Sequence, residues 1–199
     1  MPGELVDLTA PADRLDVPPA RLRSALRDLE AEGLVLAGGN RHVTVAPLNT
    51  RELGDIFALR RALEPDMLAR ACASGPLGSF ADFARLAAGR PVADWRDDQV
   101  FIALRRAYLD FIRPVVSGIE LSVADDLTSC TERASRIGFE AVQLGSPSDI
   151  ALVNAANEAL IEACRDRSPV GVQVRSRQFL ALIEDLCWHG VRAVRSNTG

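Results

Sequence analysis

The chain contains no lysine: all 23 of its basic residues are arginine. That bias fits a GC-rich genome and says little about function by itself. It does make every cationic contact a guanidinium contact, suited to phosphate and to bidentate readout of guanine. Histidine is nearly absent, with only His42 and His189. No run of 18 or more apolar residues occurs, which excludes a transmembrane helix. The N-terminal MPGELVDLTAP has neither a basic n-region nor an apolar h-region, so it is not a signal peptide, and a cytoplasmic location is expected. The four cysteines, Cys72, Cys130, Cys164 and Cys187, are far apart and form no CxxC pair. Reduced, mostly buried thiols are expected rather than zinc or a disulfide framework. Internal repeats and low-complexity segments are also missing.

What is present is ordinary for a globular chain. At 199 residues, 48% hydrophobic and 25% charged, it has room for one large or two small domains. The most organised stretch is DRLDVPPARLRSALRDLEAEGLVLAGGNRHVTVAP, from Asp13 to Pro47. A short helix, with Thr9 as N-cap and Pro11 in its first turn, ends near Leu15. A turn follows through Asp16-Val17-Pro18, and a second helix runs from about Pro19 to Glu32. Gly33 stops it. Two short β-rich runs, Leu34–Ala37 and His42–Ala46, flank a hairpin tip at Gly38-Gly39-Asn40-Arg41. Helix, turn, helix and two-stranded wing is the order of a winged helix-turn-helix. Leu22, Ala25, Leu26 and Leu29 give the second helix one apolar face and leave Arg21, Arg23, Ser24, Arg27 and Asp28 for the others.

These residues resemble the DNA-binding domain of GntR-family bacterial transcription regulators. The following LNTRELGDIFALRRALEPDMLARACA is similar to the first helix of their FCD-type ligand-binding domain. The resemblance implies a winged helix-turn-helix over 1–48 and an all-helical effector-binding and dimerisation domain over 49–199. It implies that Arg23 contacts DNA, with Arg14, Arg21, Arg27 and Arg41 as further candidates. Two departures stand out. The family usually has another helix before this point, packed under the recognition helix, and the chain begins where that helix should already have ended. The usual Ser-Arg-Thr-Pro-Val-Arg is matched by Pro18-Pro19-Ala20-Arg21-Leu22-Arg23, so the capping hydroxyl is gone and two backbone N–H groups are lost to phosphate. Residues 1–48 also carry seven acids (Glu4, Asp7, Asp13, Asp16, Asp28, Glu30, Glu32) against those five arginines, a balance of −2. Non-specific DNA affinity comes mainly from neutralised phosphates, so no surplus is available for it.

From Asn49 onward the pattern is helical. Asn49 with Glu52 resembles a capping box, and Leu48 with Leu53 a hydrophobic staple. The first helix is expected to reach about Ala73, followed by helices near 79–88, 94–113, 115–143, 147–167 and 170–195. The breakers are Gly75-Pro76, Gly89/Pro91, Pro114, Gly145/Pro147 and Ser168/Pro169. No segment here alternates with period two. The fold expected is mostly α: a truncated winged helix followed by a six-helix bundle.

FCD domains commonly hold a divalent metal on one aspartate and three histidines. Here Asp-x-x-Phe-His reads Asp98-Gln99-Val100-Phe101-Ile102, Asn157 stands at the second histidine and Phe179 at the third. Imidazole or thiolate donors are therefore missing, and no metal or other cofactor is expected. His189 reads as a helix-end histidine. The pocket without its metal would be lined by Asp98, Ile102, Asn157 and Phe179. Arg60, Arg105 and Arg175 flank it and could meet an acidic ligand. Taken singly, each reads first as a surface residue or a partner of Glu64, Asp98 or Glu162. The inward apolar residues could instead mean a filled core.

The reading that follows is a homodimeric regulator on a pseudo-palindromic DNA operator, controlled by an apolar or weakly acidic small-molecule effector and without a membrane role. Two alternatives remain open: an FCD-fold small-molecule binder or enzyme that no longer reads DNA, and a DNA-silent partner of a complete regulator. Asp98, Glu64, Tyr108, Cys164 and His189 are the titratable candidates for catalysis, and their spacing matches no known constellation.

Overall fold

A computed structural model describes residues 3–7, 17–31, 35–38, 42–46, 50–88, 94, 97–145 and 147–196. The chain divides into two compact units, Met1–Asn49 and Thr50–Gly199. The helix expected to end at Leu15, the hairpin tip at 39–41 and the Asn49 cap lie outside the described residues, and Arg14 and Arg41 with them.

The first unit holds β1 (Leu5–Asp7), α1 (Pro19–Ala31), β2 (Val35–Ala37) and β3 (His42–Val45). Pro18 and Pro19 start α1 without a capping hydroxyl. The Pro18 carbonyl accepts from the Arg21 and Leu22 N–H groups at 2.9 and 3.2 Å, and Pro19 stands in the first turn, where its missing N–H costs nothing. The run His42-Val43-Thr44-Val45, β-branched from its second residue on, forms the central strand of an antiparallel sheet ordered β1-β3-β2. Val43 is buried at its middle, paired with Val6 on one side and Ala37 on the other. The β2–β3 turn closes with the Gly38 N–H donating to the His42 carbonyl at 3.1 Å. A Cβ at Gly38 would stand 2.8 Å from that oxygen, so the turn requires glycine. The wing expected as two-stranded is therefore three-stranded. β1 is three residues long, too short to show a period, and is recruited by a partner far along the chain: Gly3 N–H and Glu4 carbonyl pair with Val45 at 2.8 Å each.

The second unit is six helices among the described residues: α2 (Thr50–Ser74), α3 (Leu77–Ala88), α4 (Asp98–Ile112), α5 (Gly118–Gly145), α6 (Pro147–Arg165) and α7 (Pro169–Ser196), with a 3-10 turn at Arg113–Val115. The expected boundaries shift at the caps. The Asp97 carboxylate accepts from the Gln99 and Val100 N–H groups, starting α4 later than expected. Ser117 and Glu120 form a reciprocal capping box that starts α5. The Ser117 N–H, and after it the Arg70 guanidinium, hold the Glu120 carboxyl down at about 2. Between α6 and α7, Arg167 takes a left-handed conformation (φ 49°), and the Ser168 N–H returns to the Ala163 carbonyl at 3.2 Å. The Ser168 hydroxyl then accepts from the Gly171 N–H.

Helix α7 lies along α2, α5 and α6, while α3 packs on α4. Met67, Leu68, Ala71 and Cys72 of α2 meet Tyr108, Phe111 and Ile112 of α4, Leu160 and Cys164 of α6, and Val172 of α7 in one core. Phe111 anchors it, stacked on Phe83 at 5.4 Å between centroids and tilted against Phe80 at 5.7 Å. Cys72, Cys164 and Cys187 are buried free thiols, and Cys130 is exposed. No helix among the described residues is long and apolar enough to cross a membrane.

The contact of α5 with α7 is backbone against backbone. A Cβ on Gly138 would stand 2.6 Å from the Leu186 carbonyl oxygen, and one on Gly190 2.6 Å from the Gly138 nitrogen. Alanine gains up to about 1 kcal/mol over glycine in helix propensity, but main-chain atoms cannot rotate away as a side chain can. Gly138→Val is accordingly expected to destabilise by about 1–3 kcal/mol in urea unfolding, and Gly78→Ala, with nothing within 4 Å of its Cβ, to be neutral or stabilising. Equal midpoints for Gly138→Val and the parent would contradict the close crossing.

Candidate functional site

All six helices of the second unit contribute to a cavity of about 120 Å³. Leu68, Phe83, Phe101, Leu104, Leu160, Phe179, Leu180 and Ile183 make most of its wall. The polar side chains on it are Arg60 and Glu64 of α2, Arg105 and Tyr108 of α4, Thr128 and Ser135 of α5, Asn157 of α6 and Ser176 of α7.

The polar groups are built in pairs. Arg60 and Glu64 lie one helical turn apart, which brings guanidinium and carboxylate together on one face. Arg60 Nε donates to Glu64 Oε1 at 2.5 Å and Nη2 to Oε2 at 3.2 Å, in a fork. Its Nη1 donates to the Thr131 hydroxyl at 2.8 Å, tying α2 to α5. The Arg60 guanidinium also lies 5.5 Å from the Phe57 ring centroid. Both members are withdrawn from water, with side-chain exposures of 12% and 5%, so each depends on the other. Burial works to lower the Arg60 pKa, and the Glu64 carboxylate more than offsets it, leaving the guanidinium above its ordinary value. Arg105 is held by Asp125, at 2.7 Å from Nε and 2.5 Å from Nη2, with Glu132 at 3.9 Å.

Tyr108 is different. Burial, followed by the Glu64 charge, pushes its phenol well above the ordinary range, so it stays protonated. Its hydroxyl and Arg70 Nε are the buried side-chain polar atoms without a hydrogen-bond partner among the described residues. Arg70 Nε faces Asp66 at 2.9 Å, so Tyr108 alone of the two lacks a counter-group. Asn157 is oriented by donating Nδ2 to the Ala87 carbonyl at 2.7 Å. That carbonyl lies in the last turn of α3 and has no acceptor role inside its own helix. Burial raises the Cys187 thiol to about 11, with Ser135 Oγ 3.5 Å away.

The residues expected at this site fall into three groups. Arg60, Arg105, Asn157 and Phe179 line the cavity together. Ile102 and Arg175 do not. Phe101 takes the inward position on α4, and the next residue turns 100° away, leaving Ile102 41% exposed. Arg175 is exposed on α7 and donates to Gln178 at 3.0 Å. The side chain of Asp98 lies outside the described residues. Of the alternative partners, Glu64 does hold Arg60, but Arg105 turns to Asp125 and Glu132 instead, and Glu162 pairs with Arg165. Tyr108 entered the sequence reading only as a titratable candidate; Thr128, Ser135 and Ser176 did not enter it. Among the described residues, no group of three or more His, Cys, Asp or Glu is placed to hold a metal ion. With Ile102 turned out, Phe179 apolar and Asn157 offering a neutral amide oxygen in place of an imidazole, the residues described do not fit the family's metal. His189 is exposed near the end of α7, its Nδ1 2.9 Å from the Asp185 carbonyl.

In the first unit, Arg21, Arg23 and Arg27 are all exposed on α1. At 3.6 residues per turn Arg23 and Arg27 share one face, to one side of the stripe of Leu22, Leu26 and Leu29. Asp28 falls on the flank of Arg21, and Glu30 beside Arg23. Leu29 remains 37% exposed.

Removing the Glu64 carboxylate would leave Arg60 charged and buried. Glu64→Ala is expected to cost about 3–5 kcal/mol in urea unfolding. The double replacement Arg60→Met/Glu64→Leu should cost much less than the sum of the two single losses. A Glu64→Ala loss below about 1 kcal/mol, the range of an exposed pair, would show that the pair is solvated.

Comparison with known proteins agrees with this architecture. Residues 55–182 match the FCD domain. A search of curated proteins finds no match. Among solved structures, Escherichia coli McbR/YncC is similar with a TM-score of 0.64 at 15% identity, covering 100% of this chain and 90% of that one. A GntR-family transcriptional regulator from Pseudomonas syringae pv. tomato gives a TM-score of 0.55 at 19% identity, covering 98% and 79%. The GntR protein of Streptococcus agalactiae gives 0.51 at 16%, covering 93% and 90%. With its helical unit matched over most of its length, this protein belongs to the FCD-domain family.

Proposed function

We propose that the chain is a DNA-binding transcription regulator of the cytoplasm whose operator affinity is set by a small molecule held in the cavity of the helical unit. The observation that carries the DNA half is the exposed pair Arg23 and Arg27, one turn apart on a helix that is followed by a β-hairpin. A helix presenting two guanidinium groups outward suits the major groove, where arginine pairs with guanine and phosphate. Arg21 is a flanking contact, with Arg14 and Arg41 as further candidates. The observation that carries the effector half is the cavity itself, lined from every helix of the unit.

The operator is pseudo-palindromic and the protein a homodimer in this reading. Leu59 and Leu63, one turn apart on α2, are 51% and 37% exposed and offer an apolar stripe to a second copy. A ligand changes DNA affinity only through its different affinity for the two arrangements of the DNA-binding heads.

The acidic balance of residues 1–48 favours the second reading, a protein that keeps the fold and the cavity but has no operator. Fluorescence anisotropy with DNA from around the protein's own gene separates the two. The regulator is expected to bind saturably, to survive excess random DNA, and to weaken steeply with salt. Arg23→Ala should cost about 1–3 kcal/mol of specific binding and leave the thermal midpoint unchanged. No binding at low salt, or full operator affinity in Arg23→Ala, would overturn the assignment.

A further inference from the structure

We infer that the cavity is built for an uncharged, mostly apolar small molecule with one hydrogen-bonding oxygen, of the alcohol, ketone or ester class, and that the Tyr108 hydroxyl receives this oxygen. The inference rests on the effector reading above and specifies its ligand.

Two arginines on a cavity wall suggest a carboxylate ligand, and the structure argues against one. Arg60 is forked onto Glu64 and donates its remaining terminal nitrogen to Thr131. Arg105 is held by Asp125 with Glu132 behind it, and Glu132 also faces Arg136 at 3.3 Å. Three guanidinium groups and three carboxylates balance within the protein. At Arg60 an anionic ligand would have to displace the Glu64 carboxylate and leave it buried and unpaired, the costly half of breaking such a pair. At Arg105 it would compete with the two protein carboxylates already facing that guanidinium.

Tyr108 lines the cavity, is buried, and has a hydroxyl without a partner. A buried hydroxyl without a partner is rare, because the desolvation penalty is not recovered. An acceptor oxygen on the ligand supplies the missing bond. Asn157 adds a complementary group. Its Nδ2 is committed to Ala87, so the amide offers its oxygen to a ligand hydroxyl. The remaining wall, with Phe83, Phe101, Phe179 and Leu160, suits a hydrocarbon or aromatic body.

The test uses the full chain and three matched probes read by fluorine NMR titration at pH 7: 4-fluorobenzyl alcohol, 4-fluorobenzoate and 4-fluorotoluene. The alcohol is expected to bind at least about tenfold more tightly than the benzoate. Tyr108→Phe, which keeps the ring, should weaken the alcohol about tenfold, one hydrogen bond's worth, and leave the toluene unchanged. Arg105→Gln should not weaken the alcohol. Benzoate binding as tight as the alcohol, or an alcohol affinity unaltered by Tyr108→Phe, overturns the ligand class and leaves an effector cavity standing. No binding of any probe at millimolar concentration overturns both. DNA binding through Arg23 is measured without ligand and is decided separately.

Discussion

The ion pair of Arg60 with Glu64 is the constraint on which the helical unit turns. Neither group can be buried alone, and each is withdrawn from water on a helix whose other inward residues are apolar. The pair adds little net stability over a well-packed apolar alternative, because desolvation consumes most of the Coulomb gain. What it does is specify. The guanidinium can satisfy its fork only with Glu64 one turn on and its last terminal nitrogen only with Thr131 across on α5. That sets α2 against α5, and it leaves the cavity between them electrically closed. The neighbouring Tyr108 phenol is kept protonated by the same burial and the same carboxylate.

Around this pair the packing is arranged to leave room in one place and none in another. Phe111, Phe83 and Phe80 fill the core beside the cavity. At the far contact of α5 and α7, Gly138 and Gly190 remove side chains altogether, and the two main chains meet. Close approach there holds α7 where Ser176, Phe179 and Ile183 reach the cavity. A site lined from six helices is thus a product of the whole bundle. Any rearrangement of one helix alters its volume, the property a ligand-biased switch requires.

Much of this is legible in the sequence where the signal is local. Proline and glycine mark the ends of α2, α6 and α7, and Gly38 marks the hairpin. The spacing of Arg60 and Glu64 shows an intrahelical pair. What is not legible is set by distant partners. β1 exists because Val45 supplies hydrogen bonds to Gly3 and Glu4. Arg105 could face Asp98 on its own helix or a carboxylate on another; the choice of Asp125 and Glu132 depends on how α4 meets α5. The exchange of Phe101 for Ile102 has the same origin. Both are apolar neighbours, and periodicity alone does not say which turns inward until the packing of α4 is known.

The central claim is that occupancy of an uncharged cavity in one unit governs DNA affinity in the other. Its most direct test is the anisotropy titration of the full chain on its own upstream DNA, repeated at saturating 4-fluorobenzyl alcohol. The account predicts a shift in apparent Kd of about fivefold or more, the range of ordinary allosteric coupling, and a Tyr108→Phe variant that needs about tenfold more alcohol to reach half of that shift. Superimposable curves with and without the alcohol, in a protein that binds both it and DNA, would contradict the account.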